Sequence, residues 1–254
     1  PDGKHIAFVG TEDGDMEIYV MPSLGGPAKR LTYLGSMLKV AGWKNNNEIL
    51  FASNHGMPFL RMFDIFSVNI KGEYPTCLSF GVSNDVAFGD KGVVLGKNTA
   101  DPARWKRYRG GTAGEIWIDR NGTSDFKKLI NLKGNLASPM WIDQKIFFLS
   151  DHEGIGNIYS CTPNGRGLKK HTDHKNYYAR NASTDGKSIV YHSGADIWKY
   201  DLENLSSEKI DIDFRSPMIQ KSRKYASVQN YLEDYALDRQ NNMISYISRG
   251  KAFT

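Results

Sequence analysis

Thr184-Asp185-Gly186-Lys187-Ser188-Ile189-Val190-Tyr191 restates, with small changes, Pro1-Asp2-Gly3-Lys4-His5-Ile6-Ala7-Phe8-Val9. In both, a polar Asp-Gly turn, where glycine takes a positive φ at little cost, leads into an alternating apolar run of strand type. Weaker copies run from Asn45 to Phe51, Gly89 to Leu95, Asp143 to Leu149 and Gln240 to Ile247. The first apolar residue of each strand is Ile6, Ile49, Val93, Ile146, Ile189 or Ile244, so successive gaps are 43, 44, 53, 43 and 55. Strand pattern and turn chemistry at this period, without helical periodicity, predict the blades of a β-propeller rather than a helical solenoid.

Working outward, a second strand in each copy opens on isoleucine plus an aromatic: Ile18-Tyr19, Ile65-Phe66, Ile116-Trp117, Ile158-Tyr159 and Ile197-Trp198. The preceding residue is short or acidic (Glu17, Asp64, Glu115, Asn157, Asp196). β-branched beside aromatic suits a pleated strand packed on two sides. Gly-bearing turns follow at Gly25-Gly26, Lys71-Gly72, Asn121-Gly122 and Asn164-Gly165. A polar last strand, such as Lys29-Arg30-Leu31-Thr32 or Lys169-Lys170-His171-Thr172, reads as the wet outer edge of a blade. The inner strand precedes the Asp-Gly turn, as in Val40-Ala41-Gly42-Trp43, Ser138-Pro139-Met140-Trp141 and Arg180-Asn181-Ala182-Ser183, where small residues suit a crowded central channel.

The expected fold class is all-β: a propeller of four-stranded antiparallel blades, with about five blades present and a further unit begun after them. The expected domains are 1–215, a propeller; 216–230, a polar, basic linker containing Pro217; and 231–254, where another unit of strands opens. The repeat pattern predicts a chain cut inside repeats at both ends.

Composition agrees with a globular chain: 40% apolar, 12% aromatic and 24% charged, with 25 glycines. Thirty-three basic against 28 acidic residues give +5, too mild an excess to name a partner, and no like-charge block signals a nucleic-acid tail. Cys77 and Cys161 stand in no disulfide-framework or zinc spacing, so reduced thiols are expected. No run of 18 apolar residues predicts a membrane helix.

The segments Trp105-Lys106-Arg107-Tyr108-Arg109-Gly110-Gly111-Thr112, Gly114-Glu115-Ile116-Trp117-Ile118 and Lys145 to Asp151 with Gly156 to Ser160 resemble the amino-terminal propeller of the tricorn protease family. So does Lys170-His171-Thr172-Asp173 through Tyr177-Tyr178-Ala179-Arg180, and the likeness to TolB-type propellers is looser. The resemblance implies that 1–215 is a six-bladed propeller lacking its first blade, that 231–254 holds the opening strands of a second propeller, and that the chain is a non-catalytic segment of a cytoplasmic, homo-oligomeric serine peptidase, admitting and filtering oligopeptides for downstream peptidase domains of the same chain. It implies no cofactor, no metal and no membrane. Family members carry paired arginines in an insert that holds a peptide carboxylate; here that stretch is only Leu34-Gly35-Ser36-Met37-Leu38-Lys39, so the anchor does not transfer. Two other readings stand beside it: a TolB-like periplasmic scaffold that docks a protein, and the gating propeller of a prolyl-oligopeptidase-like hydrolase.

For chemistry inside the segment, no GxSxG elbow occurs, and scattered Ser and His pairs arise by chance in a chain this size. His152, His171, His174 and His192 have no metal-ligand spacing, and His152 and His174 are expected in solvated blade loops. Asp151-His152-Glu153-Gly154 reads as a turn rather than a calcium loop. The stretch from Arg104 to Arg109 interleaves cations with aromatics. Arg104, Lys106, Arg107 and Arg109 are the candidate contacts to peptide carboxylates; the alternatives are that Trp105 and Tyr108 pin an insertion onto the blades, or that the stretch grips nucleic acid, an unlikely partner.

Overall fold

A computed structural model describes residues 1–99, 108–222, 225, 227–240 and 242–254. The described chain forms two compact units, Pro1–Ile210 and Asp211–Thr254. The first is five sheets in sequence. Blade I has β1 (His5–Gly10), β2 (Glu17–Pro22) and β3 (Lys29–Arg30); blade II has β4 (Leu38–Asn45), β5 (Glu48–Ser53), β6 (Asp64–Asn69) and β7 (Thr76–Cys77). Blade III has β8 (Asp85–Phe88), β9 (Val93–Lys97), β10 (Glu115–Asp119) and β11 (Lys127–Lys128). Blade IV has β12 (Leu136–Ile142), β13 (Lys145–Ser150), β14 (Asn157–Cys161) and β15 (Lys169–Lys170), and blade V has β16 (Ala179–Thr184), β17 (Ser188–Ser193), β18 (Asp196–Asp201) and β19 (Ser206–Lys209). Strands pair antiparallel in chain order; blade I holds three strands and the other four blades four each.

The turns are made by short polar side chains. The Asp185 carboxylate accepts the backbone N–H groups of Lys187 and Ser188, and Asn45 does the same for Asn47 and Glu48. Each thereby closes an Asx turn before its strand. The isoleucine-aromatic pairs then place rings directly across the ladder: Phe8 opposite Tyr19, Phe51 opposite Phe66, Phe148 opposite Tyr159 and Tyr191 opposite Trp198. The first three pairs stack with centroids 5.7, 5.6 and 6.4 Å apart. Such cross-strand pairs are the stabilising unit of a sheet.

Core formation follows from strand alternation. In β5, Ile49 and Phe51 face blade I, where they meet Ile18 and Val20, while Leu50 and Ala52 face blade III and meet Val86 and Leu95. In β13, Ile146 and Phe148 join Ile116 and Ile118 of blade III, and Phe147 and Leu149 join Ile189, Tyr191 and Tyr200 of blade V. A central strand is therefore apolar on both faces, and each blade is buried only by its neighbours. At about 1.5–3 kcal/mol per buried large side chain, the seams carry most of the stability.

The second unit is a three-stranded antiparallel sheet of β20 (Leu232–Leu237), β21 (Ile244–Ser248) and β22 (Lys251–Phe253), preceded by two short 3-10 turns. Residues 216–230, expected as a linker, lie within this unit, and Tyr246 stacks on Phe253 at 5.1 Å.

Candidate functional site

The four innermost strands, β4, β8, β12 and β16, are each the terminal strand of their sheet, and they surround a cavity of about 370 Å³. Three of them carry a bulge at the same place. Val40 and Ala41 together oppose Phe51, Ser138 and Pro139 oppose Phe148, and Asn181 and Ala182 oppose Tyr191. Ser138 and Asn181 take φ of 48° and 51°, the left-handed region that costs a non-glycine residue energy. The bulge thus sits across from the aromatic pair of its blade. Blade III has Leu95 there, opposite Val86, and β8 runs without a bulge.

Small residues line the cavity as the sequence suggests, among them Ala41, Ser138, Ala182 and Ser183, but Trp43, Phe88 and Trp141 line it too. The aromatics fit because each also packs into a seam, and Trp141 lies over Gly89, where an added Cβ would come within 2.3 Å of the indole. Among the described residues, the charged ones lining the cavity are Lys39 and Asp85, and their side chains pair at 2.7 Å.

The predicted cationic cluster divides. Arg104, Lys106 and Arg107, with Trp105, lie outside the described residues. Arg109 is exposed and lines a different recess of about 350 Å³ together with Glu115, Lys128, Asn131 and Lys133, apart from the residues that line the central cavity. Lys128 pairs with Glu115 at 2.6 Å, which with the Trp117 indole N–H holds the Glu115 carboxyl below its usual range. The Tyr108 and Thr112 hydroxyls meet at 3.1 Å within this loop.

The histidines are not solvated as expected. His174 is half-buried, with Nε2 2.9 Å from the Tyr191 hydroxyl and its ring edge-on to Trp198. His152 packs on Tyr159 at 4.6 Å and reaches Ser150. His174, in the connection between blades IV and V, is captured by the next blade, whereas His152 is covered by residues of its own blade. His171 touches Ser160 through Nε2 at 2.7 Å and Tyr200 through Nδ1 at 2.8 Å, and burial pushes its pKa down to about 4. The Ser160–His171 pair has the distance of a nucleophile and its base, but Ser160 is 1% exposed and a tyrosine occupies the orienting position, so it is a seam contact. Among the described residues, no group of three His, Cys, Asp or Glu could hold a metal ion, and no helix is long and apolar enough to cross a membrane.

Sequence reading missed a polar latch. The Thr32 hydroxyl donates to the Glu17 carboxylate while accepting the Ile18 N–H, and Gly35 N–H donates to Glu17. In blade IV, Thr172, Asn157, Ile158 and His174 repeat this arrangement. The threonine that ends Lys29-Arg30-Leu31-Thr32 and Lys169-Lys170-His171-Thr172, with Glu17 or Asn157 before Ile, was the available signal.

Five antiparallel blades stacked in sequence, four of whose inner strands line one cavity, define Pro1–Ile210 as part of a β-propeller. Residues 1–206 match the tricorn protease N-terminal beta propeller domain, and the chain belongs to that family. It is 37% identical over 260 residues to a tricorn protease homolog of Saccharolobus solfataricus, covering 100% of this chain and 24% of that one. It is 42% identical to tricorn protease homolog 1 of Streptomyces coelicolor, covering 84% of this chain and 20% of that protein. The crystal structure of the tricorn protease superposes on 100% of this chain, and 25% of its own, with a TM-score of 0.86 and 32% identity. TolB from Acinetobacter baumannii, at a TM-score of 0.62 and 14% identity over 82% of this chain and 53% of its own, shares the fold. The chain spans about a quarter of the length of the first of these relatives.

Proposed function

We propose that this propeller is the non-catalytic passage of a tricorn-type serine peptidase, admitting and filtering oligopeptides on their way to catalytic domains elsewhere in a cytosolic, oligomeric protein. The observation that carries the reading is the axial cavity, bounded by four inner strands, with its one lysine and one aspartate paired to each other. An extended, uncharged main chain fits such a lining better than nucleic acid, which needs unpaired cations for its phosphates. Family membership supports the peptidase context. The three-stranded unit of 232–253 is read as the opening of a second propeller, because β20 shows the same kind of bulge, between Leu232 and Asp234, as the inner strands of the first unit. Arg109 and Lys133, exposed at the separate recess, are candidate contacts for peptide carboxylates outside the passage. A docking scaffold of TolB type has fold likeness alone behind it.

The test is a plug in the full-length protein. Ser183 lines the cavity and is exposed, so Ser183→Trp fills the passage without opening the core. Turnover of long peptides is expected to fall by about tenfold or more, while a small chromogenic substrate keeps its rate. Unchanged turnover of both would refute the passage.

A further inference from the structure

Peptide passage requires only a hole, and the inner strands supply more than that. Each is a sheet edge whose outward N–H and C=O groups have no ladder partner, and none is joined by a ladder to the inner strand of the next blade among the described residues. A bulge leaves one further residue out of the ladder and turns the strand. Three bulges stand at equivalent ladder positions, Val40-Ala41, Ser138-Pro139 and Asn181-Ala182, and all six residues line the cavity. Two hold a non-glycine residue in the left-handed region. Among the described lining residues, Ser138, Asn181, Ser183 and Thr184 offer uncharged polar groups, and Lys39 is tied to Asp85.

We propose that the bulged inner strands of blades II, IV and V form a recognition ring for the main chain of an extended oligopeptide, binding its peptide groups irrespective of side-chain sequence and of terminal charge. This rests on the peptide-passage reading and adds the chemistry of the contact. Backbone recognition is what a passage for unrelated sequences needs, since β-edge hydrogen bonding is available from every residue of an incoming strand. Terminal carboxylates, by contrast, would require an unpaired cation in the lining.

The experiment titrates the 254-residue protein with three octapeptides of one unstructured sequence, followed by tryptophan fluorescence. One has free ends, one is acetylated and amidated, and one is end-blocked with alternate peptide nitrogens methylated. The Ser183→Trp variant, with a calorimetric readout, locates binding in the cavity. Blocking the ends is expected to change Kd by less than about threefold, and N-methylation to weaken it by about tenfold or more, because each methyl removes a main-chain hydrogen-bond donor. Binding that depends on the free carboxylate, or that survives N-methylation, overturns the recognition ring while leaving peptide passage standing. Binding unaffected by the plug also overturns it. Failure of all three peptides to bind would remove the passage reading as well.

Discussion

Blades III and IV are neighbours with the same strand order, and they solve the same packing problem differently. Blade IV pairs Phe148 with Tyr159 beneath a bulged β12, latches its outer strand through Thr172 and Asn157, and joins β13 to β14 over residues 151–156. Blade III has Leu95 against Trp117 beneath a regular β8 of four residues, and the connection from β9 to β10 spans residues 98–114. The difference shows that bulge and aromatic pair go together: a wide ring behind the inner strand is accommodated by the extra residue in front of it. Where the ring is replaced by leucine, the strand stays regular.

That coupling can be broken from the blade IV side first. Phe148→Ala should lower stability by about 3–5 kcal/mol, read by urea denaturation, since it empties a fully buried position in the seam with blade III. The converse change, Leu95→Phe, should cost roughly 1–3 kcal/mol, because β8 has no bulge to make room. Equal tolerance of phenylalanine in both blades would separate ring from bulge. Next in size is the latch. Asn157→Ala leaves the Thr172 hydroxyl and the His174 N–H without their acceptor and should cost about 2–3 kcal/mol, against a smaller effect for Thr172→Ser, which keeps the hydroxyl.

Acid should loosen the other face of blade IV. His171 at the seam with blade V has a folded pKa near 4, below its ordinary 6.5, so the unfolded chain takes up the proton first. Its contribution is whole above pH 6.5 and is lost as pH falls from 6.5 towards 4, a loss on the order of 2 kcal/mol in this half-buried site. Nearby Asp173 is held down at about 2 by Lys175 and Lys170, so it titrates below this window. The stability difference between wild type and His171→Gln should shift by that amount, to the disadvantage of wild type, as pH falls from 6.5 to about 4; parallel curves would contradict the assignment. The smallest effect belongs to Arg109→Ala at the exposed recess, which should leave stability within about 0.5 kcal/mol.

The blades were legible because each repeat writes its own turn and strand: Asp185 and Asn45 cap turns by local hydrogen bonds, and Ile-aromatic pairs mark the second strand irrespective of context. The seams were legible as alternation. The bulges were not, since Val40-Ala41, Ser138-Pro139 and Asn181-Ala182 share no residue pattern, and what unites them is the ring on the opposite strand. The histidines misled for a related reason. His174 sits in a polar stretch, and only the approach of Tyr191 and Trp198 from the next blade buries it. The tryptophans of the cavity were read with the small inner-strand residues, while their packing into seams depends on distant partners such as Gly89.

The most direct measurement is amide hydrogen exchange of this chain with and without a saturating end-blocked octapeptide. Main-chain recognition predicts slowed exchange in β4, β12 and β16 around Gly42, Met140 and Ser183, with β8 unchanged. Protection confined to residues 108–114 and 128–134, around the Arg109 recess, would contradict it.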